Sequence, residues 1–423
     1  MLIKYKDILE KISAYKKLPT QGVYTDGFFN HPEFYLDRTR ELLGQIGLVG
    51  NEIKLVHIAG TSGKGTMANL LTRSLQNSGL KVGLFTSPPL QVETERFVIN
   101  GNLIALDEYS RLLYRLIDIG EQMAGSEFGR PSFGEINTVL GYQYFIEQNC
   151  DLIVIEALAG GQFDATNVFE NKLACVLTRV GLDHMHMLGD TTEKIAIDKA
   201  HIVRQDVPLF VGEPDLKLQN LISTICVNEG AVFHSILKDG NYDTVTLATA
   251  VCNYLGVLFN NDKLLLPGRL EEIKYENSTV VLDGAHNQQK VTYLIDWLKF
   301  KYPNKNIVML LGASSNKNSK SYLVDIMKIA DVLHLTTFYL EQNRRHSPKL
   351  AMRSIKELED ISASAGLEFH SWNKPIEGFK TIISKSGPDD IVVVTGSMFL
   401  VGVIRDLFYP SSKILTQQTT FPC

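Results

Sequence analysis

The chain has 423 residues, 44% hydrophobic and 21% charged, with a formal net charge of −5. That length supports two or three domains with their own cores, and the mildly acidic balance leaves no basic footprint for nucleic acid and no polybasic membrane patch. Five cysteines, Cys150, Cys175, Cys226, Cys252 and Cys423, form no C-x-x-C pair and read as free thiols of a cytoplasmic protein.

In chain order, "MLIKYKDILEKISAY" predicts an amphipathic helix rather than a signal peptide. "PTQGVYTDGFFNHPEF" is too long for a simple connector and reads as a functional loop. Strands are expected at 54–59, 81–86, 151–156, 174–180 and 207–211, with helical patterns between them. After the first strand, "TMANLLTRSLQNSG" places Met67, Leu70, Leu71 and Leu75 on one helical face. Strands apolar on both faces, each followed by a helix, predict an α/β fold with a mostly parallel, doubly covered sheet. A second strand-and-helix series begins near residue 273 with "STVVLDGAHN", "NIVMLLGA", "ADVLHLTTF" and "DIVVVTGS". Pro267-Gly268 punctuates the joint, so two domains are expected, 1–266 and 267–423. The terminal "ILTQQTTFPC" has little to bury and reads as a loose tail.

The stretch "HIAGTSGKGT" lies between a strand and a helix start. There the backbone N–H groups attract phosphate and Lys64 adds a point charge. Thr66 either offers its hydroxyl to Mg²⁺ or caps the helix. The alternative is a plain strand-to-helix turn; strand, three glycines, lysine and helix in order favour the phosphate site. Further polar residues fall at strand ends: Ser87 in "TSPP", Glu135 in "FGEINTV", and Asp183, His184 and His186 in "GLDHMHMLG". Each alone is an ordinary surface or turn residue. Their shared placement at carboxyl ends of strands, where α/β sheets bind ligands, suits a divalent cation beside phosphate.

The ordered set "HIAGTSGKGT", "TSPP…ERFVING", "IEALAGGQFDATN", "LTRVGLDHMHMLGDTTEKIAIDKA", "PGRLE", "LDGAHN" and "VTGSMFLVG" resembles the folylpolyglutamate synthase/dihydrofolate synthase family of the Mur ligase superfamily. That resemblance implies an N-terminal P-loop-type ATPase domain, a C-terminal Rossmann-like domain and an active site in the cleft between them. It implies an ATP-dependent ligase that activates a carboxylate as an acyl phosphate and couples it to an amino acid, usually glutamate. Gly60, Thr61, Ser62, Gly63, Lys64, Gly65 and Thr66 would hold ATP with Arg269, Asp283 and His286. Thr66, Ser87, Glu135 and His184 would bind Mg²⁺. Lys199 matches the lysine that becomes carbamylated and would add an anionic metal ligand. Lys64, Lys199, Asp283 and His286 would be catalytic. Ser397 would touch the incoming amino acid or cap the helix after it. Partners would be small molecules, a folate- or pteroate-like carboxylate and L-glutamate, and the chain would act as a monomer.

Several positions depart from the family pattern. Gln162 stands for an arginine, Pro89 for a histidine, His201 for a glycine, Asp243 and Thr246 for Gln and Asn, and Asn316 and Asn318 for aspartates. Three readings follow: a folate-directed ligase, a same-fold ligase acting on another carboxylate, and a nucleotide-binding protein without catalysis. The retained Lys64, Glu135, His184, Lys199, Arg269 and His286 argue against the third.

Overall fold

The computed structural model describes residues 2–17, 33–262, 264–313, 320–338 and 353–423, with the backbone alone for His186. Most of the predicted long loop at 19–34, and Asn316 to Asn318, lie outside these residues. The chain forms two compact units: Ile3–Pro89 with Glu93–Leu264, and Leu90–Val92 with Leu265–Cys423.

The first unit is built on eight strands: β1 (Leu55–Ala59), β2 (Val82–Phe85), β3 (Phe97–Ile99), β4 (Asn102–Leu103), β5 (Leu152–Glu156), β6 (Lys172–Leu177), β7 (Pro208–Val211) and β8 (Val232–Ser235). Their spatial order is β4-β3-β2-β5-β1-β6-β7-β8. β2, β5, β1, β6, β7 and β8 run parallel, and only the β2–β3 and β3–β4 pairs are antiparallel. Every residue of β1, β2 and β5 is buried, as expected for strands covered on both faces. The helix Lys64–Asn77 follows β1 and buries Met67, Leu70, Leu71 and Leu75 against Val56, Ile58, Leu84 and Val154. Its apolar spacing therefore lays it along the sheet and points its start at the carboxyl ends of the strands.

The second unit has strands β9 (Glu271–Tyr275), β10 (Ser278–Leu282), β11 (Asn306–Leu311), β12 (Val332–Thr336), β13 (His370–Trp372) and β14 (Asp390–Thr395), in the order β13-β12-β11-β14-β10-β9. Only the hairpin β9–β10 is antiparallel. Helices Gln288–Lys301 and Lys320–Met327 bury Val291, Leu294, Leu298, Leu323 and Met327 with Met309 and Leu311 on one face.

The C-terminal segment is not the loose tail that its composition suggests. Ser411–Gln417 is a helix with Ile414 and Leu415 buried. The reason is Arg405, a fully buried cation that needs acceptors. Its Nε donates to Glu271 Oε1 and Oε2 at 2.9 and 2.8 Å, and its Nη2 donates to the Thr420 carbonyl at 2.7 Å. The guanidinium lies 4.4 Å from the Tyr409 ring centroid and 5.0 Å from that of Phe421. Cys150, Cys175, Cys226 and Cys252 are buried free thiols, and Cys423 is exposed.

Candidate active site

The loop from Gly60 to Gly63 leaves β1 and enters the helix Lys64–Asn77 through Gly63, its N-cap, at φ 91°. Gly63 offers no capping side chain, so the first amides of the helix stay open, the arrangement that binds anions. Thr66 is the third helical residue, not the cap, which leaves the metal-facing reading of its hydroxyl. Gly60 has φ 141°, and a Cβ there would lie 1.9 Å from Thr178 Oγ1. A Cβ on Gly63 would meet Tyr242 Oη at 2.6 Å. Gly63→Ala is therefore expected to cost about 1–3 kcal/mol of stability and to raise KM for ATP, checked by thermal melting and initial rates. Thr61 pins the loop: its Oγ1 lies 3.0 Å from both the carbonyl and the N–H of Gly181.

Lys64 folds back over the loop. Its Nζ donates to the Gly60 carbonyl at 3.0 Å and lies 3.8 Å from Glu156 Oε1. Glu156 closes β5 and is buried. Its Oε2 accepts from the N–H of Ser87, just past β2, at 3.2 Å. The adjacent strand ends β2, β5 and β1 thus bring Ser87, Glu156 and Lys64 together.

Glu135 is not part of this group as the sequence assignment had it. Its carboxylate is spent on structure. Arg38 Nε and Nη2 donate to Oε1 and Oε2 at 2.8 and 2.7 Å, Thr39 Oγ1 donates to Oε1 at 3.3 Å, and the Ser132 N–H donates to Oε2 at 2.7 Å. Ser132 and Glu135 form a capping box at the start of Phe133–Glu147. Both oxygens of Glu135 are engaged and Arg38 neutralises the charge, whereas among the described residues the strand-end Glu156 accepts only from the Ser87 N–H and lies 3.8 Å from Lys64 Nζ. Glu135→Gln is expected to destabilise the fold by about 3–5 kcal/mol, because it removes the carboxylate charge that faces the buried Arg38 guanidinium. Glu156→Gln should leave the melting temperature nearly unchanged and raise the Mg²⁺ concentration needed for half-maximal rate about tenfold or more. Melting curves and metal titrations of both variants check this.

Lys199 lies at the end of the helix Thr192–Ala200, almost fully buried. Its Nζ donates to the Ala159 carbonyl at 2.7 Å. Burial first, then the nearby Lys64 charge, push its pKa down to about 8. Its neighbour Asp198 is pushed up to about 6 by burial, and Asp198 Oδ2 has no hydrogen-bond partner among the described residues. The loop after β5 that receives Lys199 is held by Asp164. Asp164 Oδ2 accepts from the N–H groups of Ala159 and Gly160 at 2.9 and 3.1 Å. Its Oδ1 accepts from Thr166 Oγ1 at 2.7 Å, and Thr166 Oγ1 lies 2.8 Å from His57 Nε2. His184 caps the short helix Met185–Leu188 with φ 48°, and its partly exposed ring lies 3.9 Å from Asp183 Oδ1.

The donor set fits a hard divalent cation. Among the described residues no three His, Cys, Asp or Glu side chains cluster closely enough to hold an ion by themselves. Mg²⁺ ordinarily takes one or two carboxylates and fills its shell with substrate phosphates and water. Glu156, Ser87 and an open loop of backbone amides meet that description.

In the second unit, Asp283 lies just past β10. Its Oδ2 accepts from the Leu270 N–H and its Oδ1 from the Ala285 N–H, each at 2.9 Å. Burial pushes its pKa up to about 6, opposed by the nearby Arg269. Arg269 sits in a tight turn closed by a bridge to Leu266. His286 Nδ1 lies 2.7 Å from the Gly284 carbonyl, which fixes the proton on Nδ1, and Nε2 accepts from Lys290 Nζ at 3.1 Å. Ser397 is the N-cap of Met398–Arg405, its Oγ accepting from the Phe399 N–H at 3.2 Å. The capping alternative is thus realised, and the hydroxyl proton remains to donate.

Of the departures, Asp243 caps the helix Thr244–Tyr254, its Oδ1 accepting from Thr246 N and Oγ1 at 2.7 and 2.6 Å, so the two altered residues satisfy each other. His201 bonds within its own helix, to the Ile197 carbonyl at 2.7 Å. Asn167 Nδ2 ties the Gln162 and His201 carbonyls together at 3.0 and 3.1 Å. Sequence reasoning passed over Glu156; the signal was a carboxylate ending the apolar run "DLIVIE", where only a nearby cation accounts for a buried charge.

Residues 268–398 match the family described as Mur ligase, glutamate ligase domain. The chain is 28% identical over 417 residues to a dihydrofolate synthase/folylpolyglutamate synthase of Bacillus subtilis (strain 168), covering 88% of this chain and 94% of that protein. It is 28% identical over 382 residues to a dihydrofolate synthetase of Saccharomyces cerevisiae, covering 79% and 87%. Its fold is similar to that of a folylpolyglutamate synthase/dihydrofolate synthase from Yersinia pestis solved with AMPPNP and Mn ion, with TM-score 0.75 and 23% identity over 88% of this chain and 93% of that one. Residues 268–398 thus carry a Mur ligase, glutamate ligase domain, and along most of its length the chain is similar to dihydrofolate synthase/folylpolyglutamate synthases.

Proposed function

We propose that the protein is an ATP-dependent ligase that joins L-glutamate to the carboxylate of a folate or of dihydropteroate. The observation that carries this reading is the convergence of the open amides at Gly63, Lys64, Glu156 and Ser87 at neighbouring strand ends. The relatives named above act as dihydrofolate and folylpolyglutamate synthases.

The chemistry proceeds in two displacements. A pterin-linked carboxylate oxygen attacks the γ-phosphorus of ATP, the bond to the β-phosphate oxygen breaks, and ADP leaves. The glutamate amine then attacks the acyl phosphate carbon, loses a proton, and expels inorganic phosphate as the amide forms. The phosphate loop holds the nucleotide through backbone N–H groups, and Lys64 offsets charge on the oxygens as the carboxylate approaches. Mg²⁺ would be held by Glu156, Ser87 and Thr66, and when bound it supplies charge neutralisation on the β- and γ-phosphates. Lys199, neutral in a large fraction near pH 8, is suited to take up CO₂ as a carbamate and turn a cation into an anionic oxygen ligand. His184 is assigned a second metal position. In the second unit, Arg269, Asp283 and His286 are assigned to the nucleotide and the acyl phosphate, and Ser397 to the incoming amino acid. We take the protein to act as a cytoplasmic monomer on small molecules. Among the described residues no helix is long and apolar enough to cross a membrane.

The test is phosphate release from ATP with glutamate in the presence of dihydropteroate, tetrahydrofolate or neither. The reading expects release only when a pterin carboxylate and glutamate are both supplied. Release with other carboxylates and none with pterins would replace it with the same chemistry on a different acid.

A further inference from the structure

Arg179 follows β6, on the side of β1 opposite to β5. Its backbone is tied directly to the phosphate loop. The Thr61 N–H donates to the Arg179 carbonyl at 2.7 Å, and Ser62 pairs with Arg179 in an isolated antiparallel bridge. Directly opposed residues of an antiparallel pair project to the same face. On that face two buried polar atoms lack partners among the described residues, Arg179 Nε and Ser62 Oγ. No ion pair involves Arg179 among the described residues. The neighbouring Glu213 feels the Arg179 charge but makes no hydrogen bond to it among the described residues: its Oε2 accepts from the Val180 N–H at 2.7 Å and its Oε1 from the Asp215 N–H at 3.0 Å. A guanidinium nitrogen and a hydroxyl on paired residues, buried without partners among the described residues, are costly unless a ligand supplies them.

The two flanks of the loop are therefore unlike. Lys64 leans toward β5, 3.8 Å from Glu156, where the transferred phosphate and the metal belong. The β6 flank carries an arginine whose buried Nε has no partner among the described residues, in a group whose planar fork matches phosphate oxygens.

We propose that Arg179, with the Ser62 hydroxyl, forms a second phosphate subsite that binds the α- and β-phosphates remaining with the nucleoside after transfer. This rests on the nucleotide reading of the loop and extends it by a residue outside the glycine-lysine motif. Such a contact is made equally before and during transfer, so its loss weakens nucleotide binding more than it slows chemistry.

The experiment compares wild type, Arg179→Ala, Arg179→Lys and Lys64→Ala by steady-state kinetics and by titration with ADP. Arg179→Ala is expected to weaken ADP binding and raise KM for ATP about 10- to 100-fold, with kcat and KM for glutamate within about threefold of wild type. Arg179→Lys should fall between, because it keeps the charge and loses the fork. Unchanged ADP affinity in Arg179→Ala, or an equal rise in KM for glutamate, would overturn the inference. Should Arg179→Ala fail to fold, the lysine variant decides: wild-type ADP affinity there contradicts the subsite. If wild type itself fails to bind ADP, the nucleotide reading falls rather than this extension.

Discussion

Lys64→Ala is expected to abolish pterin- and glutamate-dependent phosphate release, lowering kcat/KM for ATP by about a thousandfold or more. The ammonium is held by little besides the loop itself. Nζ donates to one backbone carbonyl, Gly60, and stands 3.8 Å from Glu156, longer than a hydrogen bond. The side chain is thus poised to swing onto a phosphate, and its removal leaves only amide dipoles against the charge gathered on the γ-phosphate. The fold loses little. Glu156 keeps the Ser87 N–H, and the apolar face of Lys64–Asn77 is untouched. The melting temperature should therefore stay within a few degrees of wild type, and normal turnover by a folded Lys64→Ala protein would remove the phosphate-loop assignment.

Lys199 carries the second large effect. Lys199→Met is expected to reduce turnover about a thousandfold, as loss of a metal-directing anion would, while the protein melts at the same or a higher temperature at pH 7. The sign follows from linkage. The folded-state pKa, about 8, lies below the ordinary lysine value of 10.5, so the native state binds this proton more weakly than the unfolded chain. Stability from this group is present above pH 10.5 and is lost as pH falls through 8. Methionine removes that penalty and fills the buried space. Wild-type activity in CO₂-depleted buffer should fall and return on adding bicarbonate, with the requirement easing as pH rises toward 8, where more of the amine is neutral. A variant that melts far below wild type, or activity indifferent to bicarbonate, would assign Lys199 to structure instead.

The framework of both units was legible because buried parallel strands write themselves as short apolar runs. "KLVHIA", "DLIVIE" and "DIVVVT" all became central strands. The phosphate loop was legible because its demands are local: positive φ at Gly60 and Gly63, and a helix start at Lys64. The carboxylates were harder. Glu135 stands three residues after Ser132, the spacing of a capping box, and that local signal pointed to structure; its pairing with Arg38, 97 residues away, could not be read from the chain. Glu156 needed the opposite inference, that a charge ending a buried strand must face a cation, which only the β1–β5 pairing supplies. The tail failed for a related reason. "ILTQQTTFPC" is polar in itself and is ordered by Arg405, whose need for acceptors is a tertiary fact. Arg179 was not legible as a candidate because nothing local distinguishes an arginine with a buried, unpartnered Nε from a solvated one.

The central claim is that a pterin carboxylate is activated as an acyl phosphate and then captured by glutamate. Its most direct test follows a heavy oxygen isotope placed in the carboxylate of dihydropteroate through one turnover with ATP and glutamate. The account predicts that one labelled oxygen leaves in the inorganic phosphate and that the product carries a new glutamyl amide. Amide formation with no label in the phosphate, or label appearing in AMP, would contradict it.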